Sequence, residues 1–247
     1  MKLERNSGIL LHPTSLPDSP VCGSFGKPAR EWLNELAAFG IGVWQFLPLA
    51  PTDSFGSPYS SPSSFALNPW FLDQNDLVRD GFLANNLEDF SSANDCFKNR
   101  VDFHLANSKV KSLRFSLVDD WYKQNRTIQE EFEIWCSKQF WLDDHSIFME
   151  LKIQNNDLPW WEWPDEYAGR DKKELENWKK NNQRELLGHK LLQWHLDRQW
   201  QSIRELAKNL GIYLFGDVPF YVSKDSADVW GNRSLFSILT NSDTFLQ

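Results

Sequence analysis

The chain is 247 residues long and carries 26 Lys and Arg against 34 Asp and Glu, a formal charge of -8. With no basic tract, that balance argues against a nucleic-acid partner, and no apolar run approaches bilayer-spanning length. Cys22, Cys96 and Cys136 fall in no metal or redox spacing, and their odd number fits a reducing compartment. The segment MKLERNSGILLHPTSLP has no long apolar core of the signal-peptide kind. A cytoplasmic protein without metal, cofactor or membrane partner is expected.

In chain order, GILLHP (Gly8 to Pro13) is a short apolar run stopped by proline, which predicts a strand over 8–11. Residues 27–39 place Trp32, Leu36 and Phe39 at helical spacing, with Pro28 in the first turn and Gly40 past the end. The run GVWQFLPLAP (Gly42 to Pro51) is apolar on both faces, as a central parallel strand over 43–49 requires. It breaks into TDSFGSPYSSPSSFALNPW, where Ser, Pro, Gly, Asp and Asn mark loop backbone. Strand, helix and strand make one βαβ unit and imply a parallel sheet. A buried parallel strand opening into a long polar and aromatic loop is how barrel enzymes build their sites.

The next strand, predicted over 212–217 in IYLFGDVPF, comes more than 150 residues later, far beyond an ordinary crossover. Most of residues 95–210 between them read as helix. Phe97, Val101 and Leu105 are spaced by four, as are Leu113, Leu117 and Trp121. A helix through Phe132 and Trp135 leads to WLDDHSIFMELK. One long helix is expected from about Glu174 to Leu210, carrying Trp194, Leu196, Trp200, Ile203 and Leu206. The layout divides into 1–80 with two strands and a loop, 81–190 as an inserted helical subdomain, and 191–247 with the crossover helix and third strand. Three strands cannot close a barrel, so the chain is expected to stop before closure.

Thirteen tryptophans are an unusual number for this length. Trp160, Trp161 and Trp163 sit in LPWWEWPDEYAGRD, where indoles either stack on sugar rings or pack a helical subdomain. Packing is the reading favoured for this cluster.

Three ordered stretches carry a resemblance: SGILLHPTSLP, then VWQFLPLAPT with SPYSSPSSFALNP, then GIYLFGDVPFYVSKDSADVWGN. Together they resemble the amylomaltases, the 4-α-glucanotransferases of glycoside hydrolase family 77; WLDDHSIFMELK and the pair Gln199 and Trp200 add to it. The match runs from residue 7 to about 236. It implies an α/β protein of the (β/α)₈ TIM-barrel type, here partial, with a large helical insertion after the second strand. It also implies retaining transfer of α-1,4-glucan segments between maltooligosaccharides. Such chemistry needs two carboxylates about 5 Å apart across the glycosidic bond. In the family these are an Asp at the end of strand four and a Glu at the end of strand five, which would lie beyond Gln247. No catalytic residue is therefore assigned, and the remaining half of such an enzyme is the implied partner beside the glucan. Two other readings remain: a non-catalytic or inactive glycan-binding protein, and an α-amylase-like hydrolase. The motifs favour the transferase, and no calcium-site pattern appears.

The resemblance assigns substrate contacts to five residues. Asp217, in GDVP, closes the third strand at the face where barrel catalysis occurs, with Gly216 giving backbone room; an Asx-turn or helix cap is its plainer role. Tyr59 of Ser-Pro-Tyr corresponds to the family's sugar-stacking ring, or else packs its own loop. Ser57 and Phe55 belong to the same loop, whose commoner form reads Gly-Tyr-Gly-Asp-Ser-Pro-Tyr. Here Phe55 offers a stacking face without the hydroxyl that the family's loop Tyr brings to a secondary glucan platform. His12 follows the first strand and either faces the site or bonds the loop from Pro13 to Pro17. Asp225 and Asp228 read as the cap and first turn of a helix. Asp143, Asp144 and His145 meet no metal-ligand spacing.

Overall fold

The computed structural model describes residues 5–17, 21–84 and 100–238. Phe97 and Cys96 therefore lie outside the described residues. Three strands, β1 (Gly8–Leu10), β2 (Val43–Gln45) and β3 (Tyr213–Phe215), pair in parallel in the order β1-β2-β3. The rest of the described chain is mostly helix.

The first two strands start where the apolar runs place them and the third starts one residue later, at Tyr213; all three end sooner than residues 11, 49 and 217. One further bond is made on each side, Leu11 N–H to Gln45 O at 2.9 Å and Phe46 N–H to Phe215 O at 3.1 Å. Pro13, Pro48 and Pro219 then follow, each lacking the N–H that a ladder position needs. Between β1 and β2 lies α1 (Lys27–Ala38), with Pro28 in its first turn and Gly40 at φ +68° just past its end. Its buried stripe is Ala29, Leu33 and Leu36. Phe39 is exposed because the helix has already ended there.

The chain divides into two compact units. The first comprises the described residues of Met1–Leu49, Leu67–Lys138 and Leu187–Val218. Besides the sheet and α1 it contains α2 (Gln74–Arg79), α3 (Phe103–Trp121) and α4 (Arg126–Ser137). The second comprises those of Ala50–Ala66, Gln139–Leu186 and Pro219–Gln247. It contains α5 (Leu142–Gln154), α6 (Asp165–Ala168) and α7 (Lys172–Asn181), as well as the short α9 (Ala227–Gly231). Between α7 and α9 in sequence runs α8 (Gln183–Asn209), nearly all of it in the first unit.

In the first unit α8 is the packing surface. Trp200 meets Phe25 at 4.9 Å and Phe46 at 5.5 Å between ring centroids, joining the helix to the sheet. Trp194 meets Trp121 at 5.9 Å and Phe132 at 5.4 Å, joining it to α3 and α4. One face of the sheet, carrying Ile9, Trp44 and Leu214, packs on this core. The other face is largely apolar and most open on its outer strands, where Leu10 is 55% exposed, Tyr213 48% and Phe215 59%; Gln45 lies partly buried between Leu10 and Phe215.

Two glutamines of α8 hold a buried segment that belongs to no sheet. Gln193 accepts the Leu67 N–H and donates to the Leu67 carbonyl, both at 2.9 Å. Gln199 does the same for Asp73, again at 2.9 Å each way. Asp73 in turn caps α2 by accepting the Asp76 N–H at 3.0 Å and takes the Ser24 hydroxyl at 2.6 Å.

The second unit is built on its tryptophans. Phe148, Trp160, Trp163, Trp178 and Trp230 are buried together. Each indole N–H has an acceptor where burial demands one: Trp160 uses Lys224 O at 2.7 Å, Trp163 Leu158 O at 2.9 Å and Trp230 Tyr167 O at 3.0 Å. Here the single helix expected over 174–210 proves to be two. The break is Asn182, at φ -120° and ψ 25°. Its side-chain amide donates to the Trp178 carbonyl at 2.8 Å, and its oxygen accepts from Gln154 at 2.8 Å. An Asn that competes for backbone groups ends α7 so that Leu175 and Trp178 can turn into this core. Among the described residues, no helix is long and apolar enough to cross a membrane.

Replacing Gln199 with Leu strands the buried N–H and carbonyl of Asp73. Unfolding in urea should show a loss of about 2–4 kcal/mol, since each orphaned buried group costs about 1–3 kcal/mol. A Q199L midpoint equal to wild type would show that Asp73 finds other partners.

Candidate functional site

The five expected contact residues fall on two surfaces, one in each unit. In the first unit the parallel strands end together, with Leu10, Gln45 and Phe215 in register. His12 and Asp217 each follow two residues past a strand end, on the two strands that flank β2. Two strand spacings make the backbone separation roughly 10 Å. Asp217 is exposed. A Cβ on the preceding Gly216 would lie 3.3 Å from the Phe46 ring, so glycine there lets the chain pass close over the core.

His12 is partly buried, its ring edge-on to Phe71 at 5.6 Å. Its Nδ1 is buried without a hydrogen-bond partner, so that atom does not tie down the loop after Pro13. Desolvation pushes its pKa down to about 4, leaving a neutral imidazole at neutral pH.

The second surface is the loop from Asp53 to Ala66. Asp53 Oδ1 accepts the N–H groups of both Phe55 and Ser57 at 2.9 Å, an Asx arrangement closed by Gly56 at φ +83°. Ser57 Oγ accepts the Tyr59 N–H at 3.3 Å and so caps the single turn Pro58–Ser60. That is the work its hydroxyl does here. Short local bonds thus hold two rings outward, with Phe55 89% exposed and Tyr59 42% exposed.

Beyond Tyr59 the loop is pinned. Ala227 N–H donates to Pro62 O at 2.9 Å, and Ser64 N–H donates to Asp228 Oδ2 at 2.8 Å. Sequence reasoning makes Asp225 and Asp228 the cap and first turn of a helix. Ser226 is the cap, its Oγ accepting the Val229 N–H at 3.2 Å, while Asp225 pairs with Lys152 at 2.5 Å. Asp228 does sit in the first turn of α9, but its carboxylate also reaches the loop. No spacing rule finds a partner 164 residues away. Asp53 had a local signal, an acid two residues before Phe55 and four before Ser57 in a Gly-containing turn.

Two other groups have structural duties. Asp144 forms an ion pair with Arg170 at 2.6 Å. Trp160 and Trp163 are core, while Trp161 stays 39% exposed with Lys224 Nζ 4.5 Å over its ring.

The 4-alpha-glucanotransferase family profile matches residues 11–242, and the chain belongs to that family. It is 38% identical over 238 residues to the 4-alpha-glucanotransferase of a Synechocystis species, covering 95% of this chain and 46% of that one. It is 36% identical over 240 residues to the enzyme of Thermus thermophilus, covering 96% and 47%. The amylomaltase of Streptococcus agalactiae, solved in complex with acarbose, superposes with a TM-score of 0.85 at 29% identity, over 96% of this chain and 48% of the other. The chain spans about half the length of the curated relatives it matches.

Burial also pushes His195, in the α8 core, down to about 3. Both histidines are neutral when folded and take up protons more readily when unfolded. The stability they lend is full above about pH 6.5 and is lost as the pH falls from there toward 4. For fully buried His195 the slope is about 1.4 kcal/mol per pH unit at most. Urea unfolding at pH 7 and pH 5 should show wild type weakening on acidification, and His195→Gln weakening by about 1–2 kcal/mol less. Equal losses would place the proton uptake elsewhere.

Proposed function

We propose that these residues form a glucan-binding part of a 4-α-glucanotransferase. The observation that carries this is the Asp53–Ala66 loop, which holds Phe55 and Tyr59 outward by its own short hydrogen bonds. An exposed aromatic ring held in place offers a face to the C–H side of a sugar without losing much freedom on binding. Family membership and the motif around Tyr59 support an α-1,4-linked maltooligosaccharide as the sugar. Ser57 supports the loop, and Phe55 adds a face but no hydroxyl. Asp217 and His12, past the ends of parallel strands in the first unit, offer a carboxylate and a neutral imidazole to sugar hydroxyl groups.

In this reading the three parallel strands are the first of a (β/α)₈ barrel. Its strands lie within residues 1–80 and 191–247, and 81–190 is the helical insertion. The open apolar face of Leu10, Tyr213 and Phe215 supports it, because parallel sheets are ordinarily covered on both faces. Catalysis is a retaining double displacement. A carboxylate attacks the anomeric carbon while an acid protonates the leaving oxygen, and the 4-hydroxyl of an acceptor sugar then resolves the glucanyl-enzyme. Both carboxylates come from residues outside these 247. A cytoplasmic place of action suits α-glucan turnover and the odd cysteine count.

Calorimetry with maltotetraose and the 247-residue polypeptide tests the binding role. Tyr59→Ala should weaken binding about threefold to tenfold, the range one stacking face supports. Incubation of the same polypeptide with maltotriose should release no glucose and build no longer oligomers. Unchanged affinity in Y59A overturns the loop assignment, and turnover at an enzymatic rate overturns the placement of the carboxylates. Where these residues are joined to the rest of such an enzyme, Asp217→Asn should lower kcat far more than the melting temperature. Near-normal turnover would leave Asp217 with its plainer turn-forming role.

A further inference from the structure

We infer that Asp228 is a positioning residue for Tyr59, setting the loop that presents the ring through the backbone of Ser64. The inference rests on the proposed role of Tyr59 and goes beyond it.

The loop after Tyr59 has little freedom of its own. Ser61 Oγ donates to Ser63 O at 2.7 Å and accepts the Ser63 N–H at 3.1 Å. Ser63 Oγ accepts the N–H groups of Phe65 at 3.3 Å and Ala66 at 3.2 Å. Both hydroxyls are buried and used locally, so the segment from Ser61 to Ala66 moves as one piece. Phe65 packs on Phe140 at 4.9 Å and Trp141 at 6.4 Å, which fixes one end of that piece. Its lateral position is set at two points on α9, the backbone bond from Ala227 to Pro62 and the side-chain bond from Ser64 to Asp228.

The base of these two bonds is firm. Ser226 caps α9 and donates to Ser223 O at 2.6 Å. Val229 and Trp230 are buried, and the Trp230 indole is bonded to Tyr167 O at 3.0 Å. Lys152 holds Asp225 just ahead of the helix at 2.5 Å. Of the two bonds on the loop, only the one from Asp228 depends on a replaceable side chain. A carboxylate that accepts from an amide N–H makes a charge-assisted bond, stronger than a neutral one. Its removal frees the segment that begins two residues after Tyr59.

Three variants of the 247-residue polypeptide test this: Asp228→Ala, Asp228→Asn and Asp228→Ala combined with Tyr59→Ala. Hydrogen exchange is followed over residues 58–66, and maltotetraose binding by calorimetry. Asp228→Ala should speed exchange in that segment about fivefold and weaken binding by a similar factor, the scale of one net hydrogen bond whose charge solvent exposure screens. Asp228→Asn keeps an acceptor oxygen and should restore both. The double variant should bind no worse than Tyr59→Ala alone, because the aspartate acts through the ring. Unchanged exchange in D228A overturns the inference whatever the binding shows. So do additive losses in the double variant, a D228N as defective as D228A, or faster exchange with unaltered affinity where Y59A binds weakly. If Y59A binds normally, the glucan role of Tyr59 fails, and the exchange data alone decide whether Asp228 sets the loop.

Discussion

A stretch of backbone buried outside any sheet must find its hydrogen bonds elsewhere, and in this chain α8 provides them at both ends of such a stretch. Residues 67–73 run under the first unit without ladder partners. Gln193 and Gln199 each present one acceptor and one donor, the same pair a neighbouring strand would offer to Leu67 and Asp73. With those groups satisfied, Asp73 is free to cap α2 and to take the Ser24 hydroxyl. The aromatic residues of α8 then fix the sheet on one side and α3 and α4 on the other. The strand ends that carry His12 and Asp217 take their place from this arrangement.

The second unit solves a different problem, holding aromatic rings in water without letting them collapse. A loop that buried Phe55 and Tyr59 would gain apolar contact and lose the exposed ring faces that the proposed function needs. Asp53, Ser57, Ser61 and Ser63 prevent this by committing the backbone to turns that point the rings outward. The serines of the loop therefore serve its backbone, and the exposed faces of the two rings are the surface on which the proposed glucan role rests. Ordering the loop before binding lowers the entropy that a sugar must later overcome.

Much of this was legible in the sequence where the signal is local. The βαβ unit followed from two apolar runs, Pro28 and Gly40, and the distant third strand from IYLFGDVPF. Gly40 does adopt the positive φ that its place after α1 requires. What the periodicity missed depends on tertiary context. Asn182 sits in KKNNQ, where helical propensity is weak but not prohibitive. It breaks the helix because Gln154 and the Trp178 carbonyl reward its side chain. Phe39 keeps helical spacing with Leu36, yet it falls past the last helical residue and is exposed. Asp228 satisfied a first-turn rule so well that nothing pointed to Ser64.

The same distinction bears on what half the length of a glucanotransferase can do. A stacking surface needs rings held at a fixed angle, and bonds spanning a few residues achieve that here. Transfer makes a stricter demand, since two carboxylates must sit about 5 Å apart on opposite sides of one bond. Strand ends meet such a tolerance only when the sheet beneath them is covered and cannot flex. In these residues Leu10, Tyr213 and Phe215 are still open on one face. On the proposed function, sugar contacts can thus be formed by a segment whose catalytic geometry depends on strands elsewhere. The proposed function therefore makes affinity for maltooligosaccharides and the power to transfer them separable properties.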